Sequence, residues 1–377
     1  MDDQERGCWL AFNRTPGIGA VRLRRLLARF GTLAEAWRAP RGALTLAGLD
    51  RRSLEALEQV KLATDPLREL ERARRLGLTT LTWRDEAYPQ RLAAIPDPPP
   101  VLYVRGHLEA ADEWSLAMVG TRRPTYYGRG VAERLATELA GAGLVVISGL
   151  AKGIDTHAHR GALAGGGRTV AVLGHGLDTI YPPENRALAG KIAERGALVS
   201  EYAPGVAPAA ENFPPRNRII SGLAAGVLVV EAGEKSGALI TSRYAADQGR
   251  DVFAVPGPIT SLASAGCHRL IQDGAKLVTG AGDVLVELDP QLAARGASQL
   301  GFDLGDAPPA TGAGEPGAAI DHQHVLLALS EAGEPAHVDQ LARRLGRPVQ
   351  DVSGTLTLLE VQGQVRHVGG MRYALVR

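Results

Sequence analysis

Between residues 115 and 288, short apolar runs alternate with amphipathic stretches, and no other feature of the chain restricts its fold as tightly. The runs Leu116 to Val119, Leu144 to Ser148, Thr169 to Leu173, Ala197 to Ser200, Val227 to Val230 and Asp251 to Val255 read as buried strands. Segments with helical apolar spacing fit between most of them: Gly128 to Leu139, Ile154 to Leu163, Glu184 to Arg195, Gly237 to Gln248 and His268 to Asp273. This alternation predicts an α/β domain, a doubly wound, Rossmann-like parallel sheet with helices on both faces. Ligands of such sheets bind outside the carboxyl ends of the strands, so placing the strands also places the candidate site.

Glycines and cations recur along that edge. The loops read Gly120-Thr-Arg-Arg-Pro, Gly149-Leu-Ala-Lys-Gly153, Gly174-His-Gly-Leu-Asp178, Asn212-Phe-Pro-Pro-Arg-Asn-Arg218, Glu231-Ala-Gly-Glu-Lys-Ser-Gly237 and Pro256-Gly-Pro258. In LVVISGLAKGIDTHAHRGAL, residues 144–163, a strand meets a glycine turn and a helix start with Ile154, Ala158 and Ala162 on one face. Gly149 and Gly153 allow close backbone approach, and the free amides and dipole of the new helix favour an anion. The Gly-x-x-x-Gly spacing is neither the dinucleotide fingerprint nor the P-loop. A turn that merely packs helix on strand is the alternative. Arg122, Lys152, Arg216 and Arg218 add positive charge, and a row of such loops suits several phosphates in succession better than one small anion. Phe213, in what reads as a polar, proline-flanked loop, is a candidate platform for stacking on a base; the bland reading tucks it under its own loop.

The same edge holds few reacting groups. There is no Gly-x-Ser-x-Gly elbow, Walker lysine or evident acid-base pair of carboxylates. Asp155, His157 and His159 lack convincing metal-ligand spacing, so no metal or cofactor is expected. Glu231 and Glu234, on the ligand edge, could serve as acid or base but read first as ion-pair partners of the Arg-Asn-Arg segment, Asp155 as a helix N-terminal charge, and His157 as facing the sheet. An enzyme of related architecture, a nucleotide-sugar hydrolase acting on nucleoside monophosphates, is the rival class. Its Pro-Gly-Gly-x-Gly-Thr-x-x-Glu motif is replaced here by EAGEKSGALIT.

The flanks differ from the centre. Residues 4–13 look helical, and Thr15-Pro-Gly-Ile-Gly leads into an amphipathic helix with Arg22, Arg24, Arg25 and Arg29, a helix-hairpin-helix pattern with a looser echo at residues 47–50. This 1–63 module (helix-hairpin-helix or SAM-like) is a candidate for weak duplex DNA contact, its glycine turn offering amides to phosphate, although a solvated basic face is the stronger expectation. Residues 1–110 carry 18 Lys/Arg against 14 Asp/Glu, the one basic portion of a chain whose net charge is +1. An extended Rossmann-like domain is expected over 64–290, a flexible Gly/Ala/Pro/Ser linker over 291–319, and three helices plus a hairpin, a winged helix, over 320–377. The winged helix has balanced charge, which favours a protein-interaction or vestigial role over strong DNA binding. Two cysteines exclude a disulfide framework. No apolar run approaches the about 20 residues of a membrane span, and the acidic start MDDQER is unlike a secretion signal, so a cytoplasmic protein without membrane insertion is expected.

The motifs VGTRRPTYYG, SGLAKGIDTHAHRGAL, TVAVLGHGLDTIYPPENRALAGKI, NFPPRNRIISGL, VVEAGEKSGALITSRYAADQGRDVFAVPG and SAGCHRLIQDGA occur in one order over residues 111–280. Together they resemble the DNA-processing protein A (DprA/Smf) family. The resemblance implies a non-catalytic protein of natural transformation that binds and protects single-stranded DNA and helps load the RecA recombinase onto it. It also implies homodimers formed through the Rossmann-like domain. By motif, the DNA-binding residues would be Gly120, Arg122, Arg123, Gly149, Lys152, Gly153, Phe213, Arg216, Asn217 and Arg218. Some members carry a lysine shortly before the phenylalanine, where this chain has Ala210 and Glu211.

Overall fold

The computed structural model describes residues 1–288, 322–332, 335–347, 349–361, 364–368 and 372–375, which divide into two units, Met1–Leu304 and Gly305–Arg377. The first unit opens with helices α1 (Asp3–Asn13), α2 (Ala20–Phe30), α3 (Leu33–Arg38), α4 (Arg41–Leu46), α5 (Arg51–Ala63) and α6 (Pro66–Arg75). Asp2, Thr32, Asp50 and Asp65 cap four of these starts, each accepting a first-turn amide that the helix itself leaves unpaired. The turns before α2 and α5 both pass through a left-handed glycine, Gly17 and Gly48, so the hairpin and its echo are both present. Arg22 donates to the Gly17 carbonyl and to the Asp50 carboxylate. One cation of the first turn is therefore committed to the second.

Strands β1 (Thr79–Thr82), β2 (Val101–Gly106), β3 (Ser115–Val119), β4 (Val145–Ser148), β5 (Thr169–Val172), β6 (Ala197–Ser200), β7 (Gly226–Val229), β8 (Asp251–Ala254) and β9 (Lys276–Leu277) form one sheet. Between and after them lie α7 (Gln90–Ala93), α8 (Tyr126–Gly141), α9 (Ile154–Ala164), α10 (Arg186–Arg195), α11 (Phe213–Leu223), α12 (Ala238–Asp247), α13 (Ala265–Gln272) and α14 (Ala281–Leu288). The strand order is β1-β2-β6-β5-β4-β3-β7-β8-β9. From β6 to β9 all pairings are parallel, whereas β1 and β2 extend the edge antiparallel. The six strands read from apolar runs match to within one residue at each end.

Strand alternation separates two cores. Leu116 and Met118 point to a cluster with α8, α9 and α14, while Ala117 and Val119 point to one with α7, α11, α12 and α13. The N-terminal helices join the sheet through a third cluster, in which Trp9, Leu10, Phe12 and Leu23 belong with Val101, Tyr103, Leu177 and Leu198. The chain lays down β4, β5 and β6 on one side of β3, then returns to place β7 and β8 on the other. The reversal between β3 and β7 is the switch point at which sheets of this kind open a crevice.

In the second unit, helices His322–Ala332, Val338–Leu345 and Val349–Val361 pack with β10 (Ala336–His337), β11 (Val365–His367) and β12 (Arg372–Leu375), in sheet order β10-β12-β11. This is a winged helix. Residues 291–319, expected as a linker, lie outside the described residues.

Trp9 is fully buried, donates to the Glu5 carboxylate at 3.0 Å and meets Trp83 edge to face at 5.6 Å. Trp9→Ala should lower unfolding free energy by about 3–5 kcal/mol, measured by urea titration. Because the cluster is shared, helical and sheet signals should be lost together in that titration.

Candidate nucleic-acid interface

The site is built around a buried cation. Arg216, on α11, is 4% exposed, and its guanidinium donates to the carbonyl of Gly149 at 3.0 Å and to that of Val172. It thus ties α11 to the carboxyl ends of β4 and β5. Asp155, in the first turn of α9, is also buried and accepts the amides of Gly149 and Ala151 at 3.1 and 3.3 Å. A Cβ on Gly149 would lie 2.8 Å from both the Arg216 guanidinium and the Asp155 carboxylate. Only glycine leaves room for the two charges to attract each other across the turn. Burial, with a smaller push from the Arg122 charge, lowers the Arg216 pKa to about 10 despite Asp155; burial likewise raises that of Asp155, against the pull of Arg216. Gly153 takes φ +84°, and a Cβ there would strike the Thr121 carbonyl at 2.3 Å. That close approach joins the β4 loop to the β3 loop.

Glu231 fixes the second half of the site. Its main-chain carbonyl accepts Thr121 N at 2.7 Å, and its buried carboxylate accepts the Thr125 amide at 2.8 Å and hydroxyl at 2.7 Å. The GTRR loop is consequently held at both ends, and Arg122 and Arg123 project from it, exposed. Between the β3 loop, the β7 loop and α11 lies a cleft of ≈ 690 Å³ lined by Gly120, Arg122, Arg123, Phe213, Arg216 and Asn217, among others. The Arg122 guanidinium lies 5.4 Å from the centre of the Phe213 ring and that of Arg216 5.8 Å from it, within cation–π range. The Tyr181 ring lies 6.1 Å away, tilted by 35°.

Several expectations need correction. Phe213 is not in a loop: it is the first residue of α11, and Pro214 and Pro215 occupy its first turn, where a missing amide hydrogen costs nothing. Arg218 does not line the cleft. It makes a bidentate pair with Glu201, both bonds 2.7 Å, and contacts Asp97 at 3.3 Å. The carboxylate that orders the Arg-Asn-Arg segment is thus Glu201, not Glu231 or Glu234. Lys152 is exposed but paired with Glu184. His157 meets Glu133 at 2.7 Å, and it is His159 that is buried, 2.7 Å from the Thr169 hydroxyl. Asp155, His157 and His159 therefore serve three separate partners. Among the described residues no group of His, Cys, Asp and Glu could hold a metal ion, and no helix is long and apolar enough to cross a membrane. Tyr181, absent from the expected site, carried no signal in the sequence beyond its TIYPPEN context.

Fold and site together define a Rossmann-like protein with a cationic, aromatic-floored cleft at the switch point of its first unit and a winged helix as its second. The chain belongs to the DNA recombination-mediator protein A family, whose model matches residues 79–289; a DprA winged-helix model matches residues 307–371. It is 38% identical to Protein Smf of Synechocystis over 397 aligned positions, covering 99% of each chain. DNA processing protein DprA of Streptococcus pneumoniae is 48% identical over 54% of this chain and 72% of its own. The crystal structure of that S. pneumoniae DprA superposes with a TM-score of 0.66 at 37% identity, covering 74% of this chain and 96% of that one. The structure of Helicobacter pylori DNA processing protein A, solved for its single-stranded DNA binding mode, superposes at 0.51 and 32% identity, covering 56% and 95%.

Burial and the nearby positive charge of Arg216 hold the His159 pKa down to about 3, against 6.5 when unfolded. The unfolded chain binds a proton that the folded chain refuses, so the stability due to neutral His159 is complete above pH 6.5 and is lost as pH falls towards 3. Relative to His159→Gln, wild-type unfolding free energy should fall by about 1.4 kcal/mol per pH unit between pH 6 and 4. A parallel pH dependence in the two chains would contradict this.

Proposed function

We propose that the switch-point cleft binds single-stranded DNA without reading its sequence, and that the chain protects such DNA during natural transformation and helps load RecA onto it. The carrying observation is Arg122, exposed and without a carboxylate partner among the described residues, beside the partly exposed ring of Phe213. A free cation next to an aromatic face is what phosphate contact plus base stacking requires. The H. pylori relative's single-stranded DNA binding mode supports the same ligand here. Membership of a DNA-processing family supports the cellular role; RecA loading and homodimers through the Rossmann-like unit rest on the family resemblance, and a cytoplasmic location on the sequence expectations. The reading is one of binding rather than catalysis, because Glu231, the carboxylate nearest the hydrolase motif, is buried and spends its oxygens on Thr125. In this reading Arg122, Arg123 and Phe213 touch DNA, Lys152 does so after leaving Glu184, and Arg216, Arg218 and Asn217 hold the frame.

Fluorescence anisotropy with labelled oligo-dT tests the reading. Wild type should bind with a slope of log K against log salt of about −0.7 per phosphate engaged, and Arg122→Ala should bind more weakly with a slope shallower by about one such unit. Phe213→Ala should lose about 1–3 kcal/mol with little change of slope. A wild type without affinity, or an Arg122→Ala chain matching it, refutes the assignment.

Glu184→Gln provides an independent check, since it frees Lys152 from its ion pair. Affinity should rise and the slope steepen by about one phosphate; an unchanged slope would mean that Lys152 stays outside the DNA path.

A further inference from the structure

We infer that the DNA path does not end at the cleft but continues over Tyr126 into a second groove, where a further nucleotide stacks. This rests on the single-stranded DNA reading above. The second groove, ≈ 500 Å³, is lined by Tyr126, Tyr127, Arg134, Val255, Pro256 and Thr279. Tyr126 is 93% exposed, the most exposed large apolar side chain among the described residues. No core contact accounts for an aromatic ring at that position, whereas base stacking does, and it is indifferent to sequence.

The two grooves are joined by one short, rigid segment. Gly120 to Arg123 line the first groove and Tyr126 begins the second, so the Cα atoms of Arg123 and Tyr126 are at most about 11 Å apart. The segment is held by Glu231 at Thr121 and Thr125, and Thr125 caps α8 by accepting the Gly128 amide. Tyr127 is locked in turn, its hydroxyl donating to the Pro256 carbonyl at 2.8 Å. A rigid platform loses little freedom when a base settles on it.

Charge favours a nucleic acid over a protein as the occupant. Arg122, Arg123, Arg129 and Arg134 are all exposed along this stretch. Arg129 donates to the Pro124 carbonyl at 3.3 Å and Arg134 to the Thr279 carbonyl at 3.1 Å, with Glu138 3.8 Å from Arg134. Glu133, the other carboxylate on this turn of α8, faces His157. Asp283, on the far wall, spends its carboxylate on the Thr279 amide and hydroxyl, and along the α8 side the positive charge runs on from the first groove to the second, as a phosphate backbone needs.

Anisotropy on the full chain with oligo-dT of about 6 and about 20 nucleotides separates the grooves. Tyr126→Ala should bind the short oligomer like wild type and the long one about fivefold or more weakly, while Tyr126→Phe should match wild type on both. Irradiated 5-iodouracil DNA of the longer length should crosslink to the peptide containing Tyr126. If Arg122→Ala weakens both lengths and Tyr126→Ala neither, the cleft stands and its extension is refuted, leaving Tyr126 to a protein partner. If wild type binds neither length, both fall.

Discussion

The site depends on one buried guanidinium. Arg216 sits where a parallel sheet ends its strands, with its hydrogens on the carbonyls of Gly149 and Val172 and with Asp155 across a glycine that has no side chain to intervene. Carrying a charge out of water is costly unless hydrogen bonds and an opposite charge offset it. Here both are present, and the geometry that satisfies Arg216 is the geometry that places Phe213 three residues before it. The ring, the glycine turn and the first turn of α9 are thus set by a single network. A second anchor, Arg218 on Glu201, holds the same helix from its other side, and Asn13 of the N-terminal module donates to the Glu201 carbonyl at 2.8 Å. The helical module consequently braces the segment that carries the aromatic.

Binding and framework are divided between chemically similar residues. Five cations were expected to face a ligand, at 122, 123, 152, 216 and 218, but two of these are spent inside the protein and one is held by an exposed carboxylate. The free cations are few and concentrated on the GTRR loop, which Glu231 and Thr125 keep in place. A site of this kind contacts a limited number of phosphates and gains the rest of its affinity from stacking and from backbone amides. That division agrees with a chain of nearly neutral net charge that has no global field to attract nucleic acid.

Much of the fold was legible because a buried parallel strand is a continuous apolar run, and six such runs separated by helical spacing admit few arrangements. The edge strands β1 and β2 were not legible as members of this sheet, since antiparallel pairing at an edge leaves no local mark. Helix α11 was hidden by Pro214 and Pro215, which break a helix in its interior yet are tolerated in its first turn. At the site, the glycines and arginines announced an anion-binding edge, but sequence does not show whether a cation is already paired. Arg218 finds Glu201 at 17 residues' separation, and Thr125 finds Glu231 at 106. Only the folded chain decides which charges remain for a ligand.

Hydrogen exchange read by mass spectrometry, with and without oligo-dT, shows where on the fold the strand lies. If the switch-point cleft is the site, new protection appears in peptides covering residues 120–125, 149–153 and 212–217, with α1 to α5 unchanged. Protection confined to the winged helix or to the N-terminal helices, with those three segments exchanging as in the free protein, would overturn it.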